Sequence, residues 1–272
     1  MNYSKEQLEQ LQQILLEILK YVDSVCKQNN LHYLLIGGTA LGARRHNGFI
    51  PWDDDVDIGL PREDYEKLLT ILKKKKDGYS IQDETTEKNY FCPFAKLRKD
   101  GTIFKEKISH GLYKNNGIYI DIFPIDTLSS CSSVDAKITL GKVKILNYVL
   151  RYRYCRELYC SGTKLRSLLN WIAYIPFVFL SRDYLIKKLK NNMVHQNKKA
   201  KRYAANLAGT NKIEKEIMTY DTFFPVKEYE FEGDMYPCPN QMDQYLRNLY
   251  GDFMVLPPLE KRKTHEPLEL KF

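Results

Sequence analysis

Apolar residues recur at Leu8, Leu11, Ile14, Leu15, Ile18, Leu19, Val22 and Val25. Gaps of three and four place them on one face of a helix. Ser4, three residues before Gln7, supplies a capping box, and the helix is predicted to run to about Lys27. Residues 33–36 form a short apolar run that stops at Gly37 and Gly38, which reads as a buried strand turning tightly into a helix over 39–46. Pro51 and Trp52 break the chain before Asp53-Asp54-Asp55-Val56-Asp57-Ile58-Gly59-Leu60. A strand is predicted there, then a helix opened by Pro61, with Glu63 and Asp64 at its positive end and Tyr65, Leu68, Leu69 and Leu72 as its stripe. Shorter strands are expected at 79–82, 94–98 and 118–123. Alternating strands and helices argue for an α+β, α/β-like fold around one mixed sheet flanked by helices.

Charge divides this chain unevenly. Of 42 basic and 34 acidic residues, the segment 136–202 holds 16 Lys and Arg against Glu157 and Asp183, a balance of +14 that leaves −6 for the rest. The expected organisation is a catalytic core over 1–133 with its N-terminal helix, a basic, mostly helical insertion over 134–208, and a segment over 209–272 packing back on the core. Such a basic surface suits RNA, anionic lipid or a phosphorylated substrate. Six cysteines, Cys160 among them, lie scattered without a CxxC pair. No apolar leader precedes the first helix, so free thiols in a reducing cytoplasm are expected.

The candidate chemistry begins with Asp53, Asp55 and Asp57. On a strand they share one face, and three carboxylates brought together repel unless a cation intervenes. Oxygen ligands favour Mg²⁺ or Mn²⁺, with Asp121 adding a carboxylate from a neighbouring strand. The alternative is a solvated acidic turn after Pro51. The apolar frame of Ile50, Val56, Ile58 and Leu60 favours the strand.

The stretch Gly37-Gly38-Thr39-Ala40-Leu41-Gly42, then Arg44-Arg45-His46, then Gly48-Phe49-Ile50-Pro51-Trp52-Asp53-Asp54-Asp55-Val56-Asp57-Ile58-Gly59 resembles the hallmark region of the LicD family. The likeness continues in Tyr119-Ile120-Asp121-Ile122-Phe123-Pro124-Ile125-Asp126, Phe231-Glu232-Gly233, Tyr250-Gly251-Asp252-Phe253-Met254 and Pro257-Pro258. It implies a core of the polymerase-beta-like nucleotidyltransferase type, shared with fukutin-type proteins. It also implies transfer of a phospho-alcohol, commonly phosphocholine from CDP-choline, to a sugar hydroxyl of a surface glycan precursor such as teichoic acid, lipopolysaccharide or capsule. CDP-glycerol or CDP-ribitol is the alternative donor, and a lipid-linked oligosaccharide an alternative acceptor. By this resemblance Gly37, Gly38 and Thr39 meet donor phosphates, Asp55 and Asp57 hold metal, and Asp121 completes the site or activates the acceptor. Which of Asp53, Asp55 and Asp57 is the primary ligand stays open. Arg44, Lys96 and Arg98 are candidate phosphate clamps, and His265 could approach from the tail.

The basic segment adds a further question. Residues 165–180 are largely apolar but interrupted by Pro176 and bounded by Lys164, Arg166, Arg182, Lys187 and Lys188. The run is too short to span a bilayer. It reads either as an interfacial segment, contacting anionic membrane from the cytoplasmic side over 164–190, or as a core helix. Tyr148, Tyr152, Tyr154 and Tyr159 beside Arg151, Arg153 and Arg156 keep an RNA-directed nucleotidyltransferase open as a third reading.

Overall fold

A computed structural model of the chain describes residues 4–75, 77–106, 111–155, 164–197, 201–262, 264–265 and 267–272. Cys160, Tyr159 and Arg156 lie outside the described residues. Helix α1 (Lys5–Gln28) carries the expected capping box, Ser4 and Gln7 bonding reciprocally. It buries Leu11, Leu15, Ile18, Leu19 and Val22. Strand β1 (Leu34–Leu35) leads into α2 (Gly37–His46), and β2 (Asp57–Pro61) into α3 (Arg62–Lys74). Then come β3 (Tyr79–Gln82), β4 (Ala95–Lys99), β5 (Ile103–Lys105) and β6 (Tyr119–Leu128). The sheet runs β1-β2-β6-β4-β3. Among the described residues only β2 and β6 pair in parallel, with Asp57 opposite Asp121, while antiparallel β4 sets Lys96 on the other side of Asp121. The mixed α+β fold stands as expected.

One feature differs. Strand pairing starts at Asp57, and residues 53–56 approach in coil. The alternation of the acids survives without the strand: Asp53, Asp55 and Asp57 are half-buried, whereas Asp54, Val56 and Ile58 face inward and are buried.

The basic segment forms α4 (Val134–Tyr154), α5 (Lys164–Tyr174) and α6 (Arg182–Met193), and is not a detached layer. Its Leu185, Ile186, Leu189 and Met193 join the same apolar core as the sheet. Strand β7 (Tyr203–Ala205) extends that sheet by pairing with the far end of β6. There Arg62 grips fully buried Asp126 with two bonds, Nε to Oδ1 at 2.9 Å and Nη2 to Oδ2 at 2.6 Å.

After α7 (Ile213–Glu216), β8 (Met218–Thr219) and α8 (Tyr220–Phe223) comes the hairpin of β9 (Lys227–Phe231) and β10 (Asp234–Cys238). Helix α9 (Met242–Tyr250) and strand β11 (Glu269–Lys271), paired with β5, close the chain. The hairpin turn, Glu232 and Gly233, has φ of 51° and 81°, the left-handed pair that matches strand twist in a two-residue turn. Its Glu232 accepts the Phe49 N–H at 2.9 Å, and its own N–H donates to Asn47 O at 2.9 Å. This clamps the loop between α2 and the acids. A side chain at Gly48 would strike Glu232 Oε1, 2.2 Å from where a Cβ would stand. Phe231-Glu232-Gly233 therefore serves the site from a distance in sequence.

Buried Glu216 takes a hydrogen bond from Asn211 Nδ2 at 2.7 Å, yet burial pushes its carboxyl up to about 7. The native chain then keeps a proton that the unfolded chain releases near the ordinary glutamate value. Stability must fall as pH rises between those two values. Thermal melts from about pH 5 to about pH 8 are expected to show this decline, and Glu216→Gln to flatten part of it. Equal slopes for both proteins would assign the decline elsewhere.

Candidate active site

The site lies where α2 begins, across from the acids. Gly37 adopts φ +56°, a conformation that suits glycine. A Cβ there would stand 2.9 Å from Asp57 Oδ2, and one on Gly38 would stand 3.1 Å from Asp53 Oδ2. The two glycines let the carboxylates approach the helix start. Tyr245 Oη of α9 accepts the Gly37 N–H at 2.9 Å, and Thr39 Oγ1 accepts the Asp57 N–H at 2.8 Å. Within α2 the Gly38 and Thr39 amides have no intrahelical acceptor, as at any helix N-terminus, and the helix dipole points its positive end at the acids. Gln12 Nε2 donates to Asp53 O at 2.9 Å, so α1 holds the acidic coil from behind.

Burial raises the Asp53 carboxyl well above the usual range, and the charges of Asp55 and Asp54 raise it further. Asp57 is raised for the same reason, with Asp55, Asp121 and Asp53 as its repelling neighbours. Asp55 and Asp121 are also raised, burial being the main cause, while His265 and Lys96 respectively pull them back. Lys96 Nζ lies 3.0 Å from Asp121 Oδ1, 3.8 Å from Glu106 Oε2 and 3.4 Å from the centre of the Tyr119 ring. His265 donates its N–H to Asp54 Oδ2 at 2.7 Å, sets Nδ1 at 2.9 Å from Asp54 Oδ1, and brings Nε2 to 3.8 Å from Asp55 Oδ2. Burial opposes its charged form, but the Asp54 hydrogen bond and the Asp55 and Asp54 charges push the imidazolium up to about 10.

The expected residues thus divide. Asp53, Asp55, Asp57, Asp121, Gly37, Gly38, Lys96 and His265 surround one region. Thr39 is buried, its hydroxyl already bonded to Asp57. Arg44 turns away to Asp243, Nε to Oδ1 at 2.8 Å. Arg98 is wholly buried, bonded to Gln82 Oε1 at 2.8 Å and Gly117 O at 2.5 Å, and does not reach the surface as a clamp. Lys96 meets a carboxylate within the chain. Sequence reasoning passed over Asp54, Tyr245, Glu106 and Gln12. Asp54 was hidden by falling out of phase with the acids beside it, and the other three by distance in sequence.

Among the described residues, no three His, Cys, Asp or Glu side chains are gathered so as to enclose a metal ion by themselves. The donor set nevertheless fits a hard divalent cation in another manner. Mg²⁺ is commonly held by one or two carboxylates, with substrate phosphates and waters completing its shell. Burial, and after it the like charges of neighbouring carboxylates, raises Asp53, Asp55 and Asp57, and that is the strain such a cation relieves.

An α+β sheet whose central parallel strands aim carboxylates at a Gly-Gly helix start is built to receive an anionic group beside clustered acids. Residues 30–147 match the LicD/FKTN/FKRP nucleotidyltransferase domain, so this part of the chain carries a LicD-family domain. The chain is 27% identical over 264 residues, covering 95% of both proteins, to the lipopolysaccharide cholinephosphotransferase LicD of Haemophilus influenzae. It is 48% identical over 108 residues to human ribitol 5-phosphate transferase FKRP, covering 40% of this chain and 19% of that protein. An uncharacterized protein of Rickettsia prowazekii matches at 41% over 71 residues, covering 26% of this chain and 27% of that protein.

Proposed function

We propose that the chain transfers a phospho-alcohol from a CDP-activated donor to a hydroxyl of a cell-surface glycan precursor, with phosphocholine as the group moved. The observation that carries this is the end-to-end likeness to a lipopolysaccharide cholinephosphotransferase. A phospho-polyol such as ribitol phosphate is the second reading, favoured by the FKRP match over 108 residues.

On this reading the donor diphosphate meets the free amides and dipole at the start of α2. Tyr245 holds the first turn by taking the Gly37 amide, leaving those of Gly38 and Thr39 for phosphate oxygens. Asp55 and Asp57, joined by Asp53, would hold Mg²⁺ or Mn²⁺, which supplies charge neutralisation to the diphosphate when bound. Asp121 orients the acceptor hydroxyl and accepts its proton at a carboxylate oxygen, and the Lys96 ammonium opposes the pull of burial toward the neutral acid. His265 presents Nε2 beside Asp55 as a donor to a departing phosphate oxygen. Positioning and fixed charge then supply the catalysis, as expected for transfer at phosphorus.

A thermal-shift panel tests the reading. A donor at about 100 times its dissociation constant stabilises by about 2.7 kcal/mol, a rise of roughly 5–10 °C for a chain of this size. CDP-choline with Mg²⁺ is expected to give that rise, above CDP-glycerol, CDP-ribitol, CTP and ATP. A larger rise with CDP-ribitol would move the assignment to the polyol. Silence from every CDP-alcohol would reject the function.

A further inference from the structure

We infer that the turn joining α5 to α6 is a docking surface for anionic lipid, which ties this chain to a membrane without crossing it. The observation is an apolar knob held outward by design of its neighbours. Leu168, Leu169, Trp171 and Ile172 on α5, then Ile175 and Val178, are each about half exposed, and Phe179 is 96% exposed. Water contact with so many large apolar groups is unfavourable, and contiguous patches of this kind mark interaction sites.

The knob is rigid. Tyr174, Phe177 and Leu180 pack on the main core between the outward residues. The Arg153 guanidinium of α4 binds the same turn at several points: Nε donates to Tyr174 Oη at 2.6 Å, Nη1 to Leu180 O at 2.7 Å and Nη2 to Phe177 O at 2.8 Å. Arg182 fastens the other end. It donates to Lys88 O at 2.6 Å, Glu84 O at 2.8 Å and Glu87 O at 3.0 Å, carbonyls that follow β3 of the central sheet. Arg182 is therefore a structural tie rather than one of the lipid-facing cations that its place in the sequence suggests.

Charge selects the occupant. The segment 136–202 carries +14, and Lys187 and Lys188 on α6 are exposed and make no ion pair among the described residues. Lys188 Nζ sits 5.6 Å from the ring centre of half-exposed Tyr184. Aromatic and aliphatic groups rimmed by lysine fit the boundary between acyl chains and anionic headgroups. A second copy would bring two strongly basic segments face to face. A nucleic acid would need the nearby tyrosines turned outward as stacking platforms, but Tyr152 is buried and Tyr154 packs against Phe91 at 5.4 Å between ring centres. Among the described residues no helix is long and apolar enough to cross a membrane, so the fit is to a surface.

Vesicle sedimentation of the full chain tests this, independently of any transfer activity. With phosphatidylcholine vesicles containing about 30 mol% phosphatidylglycerol at about 0.05 M salt, most of the protein is expected to pellet. Pure phosphatidylcholine, or about 0.5 M salt, should release it. Phe179→Ser with Ile175→Ser should weaken binding about tenfold or more with at most a small drop in melting temperature, because Phe179 stands almost wholly in water and Ile175 is about half exposed. Lys187→Glu with Lys188→Glu should remove the preference for anionic vesicles. Wild type that stays in the supernatant at low salt overturns the proposal, as does a Phe179→Ser, Ile175→Ser protein that pellets like wild type. Light scattering that finds a wild-type dimer made monomeric by the same pair would reassign the face to self-association, and likewise overturn it.

Discussion

Asp57→Asn is expected to lower phospho-alcohol transfer roughly 100-fold or more while raising the melting temperature of the ligand-free protein. Two consequences of one placement are involved. Asp57 stands in register with Asp121, against Gly37, with Asp55 and Asp53 as further like charges. Burial and repulsion raise its carboxyl well above the ordinary range. The native state therefore holds the proton more tightly than the unfolded chain, and near neutral pH the ionised group works against folding. Asparagine removes that charge in nearly the same volume. It also removes a carboxylate that would help to hold the divalent cation neutralising the donor diphosphate. Asp121→Asn supplies the contrast. It too should suppress transfer, but it leaves buried Lys96 with only Glu106, at 3.8 Å, as its carboxylate partner among the described residues, and should lower the melting temperature. Melting curves and initial rates for both variants check this. Equal shifts in the same direction would show that Lys96 does not distinguish the two acids, and near wild-type turnover by Asp57→Asn would remove that residue from the site.

Arg62→Met is expected to be the more damaging change to the fold, although it touches no proposed catalytic group. Asp126 has no exposed surface, and its partners are the two Arg62 bonds and Asn197 Nδ2 at 2.7 Å. Removing one side of a buried ion pair leaves a charge without compensation, at a cost of about 3–5 kcal/mol. For a chain of this length the melting temperature should fall by roughly 10 °C. Arg62→Met combined with Asp126→Leu should recover much of the loss, because an apolar pair of similar volume carries no desolvation penalty. A double variant as unstable as the single one would mean that Asn197 and the β7 edge, rather than the ion pair, control this end of the sheet.

Much of the core was legible in the chain because local periodicity reports local burial. The α1 stripe, the capping box of Ser4 and Gln7, the strand at residues 79–82 and the helix after Pro61 all follow from spacing and capping chemistry alone. The approach of the acids to a glycine turn was also readable, since Gly37 and Gly38 open a helix directly after a strand. The acidic run itself shows the limit. Period two predicted a strand from Asp53 onward, yet regular pairing begins only at Asp57. The alternation reports which side chains face inward, not which amides find a neighbouring strand.

What the sequence determined by itself was therefore the set of acids, the glycine turn, the basic segment and the α+β class. All of these are written in residue type and short spacing. What only tertiary structure decided was which charges meet. Lys96 and Arg98 read alike on one strand, but register sets Lys96 opposite Asp121 and folds Arg98 under Gln82 and Gly117. Arg44 was drawn to Asp243, 199 residues away, and His265 to Asp54, 211 residues away. Arg153 and Arg182 place their donors on backbone carbonyls and on the Tyr174 hydroxyl and the Asp183 carboxylate of their own chain. The physical reason is common to all six. A long cationic side chain has several partners within reach, and the one it takes is set by where strand register and helix packing leave an unsatisfied oxygen, which no local pattern encodes.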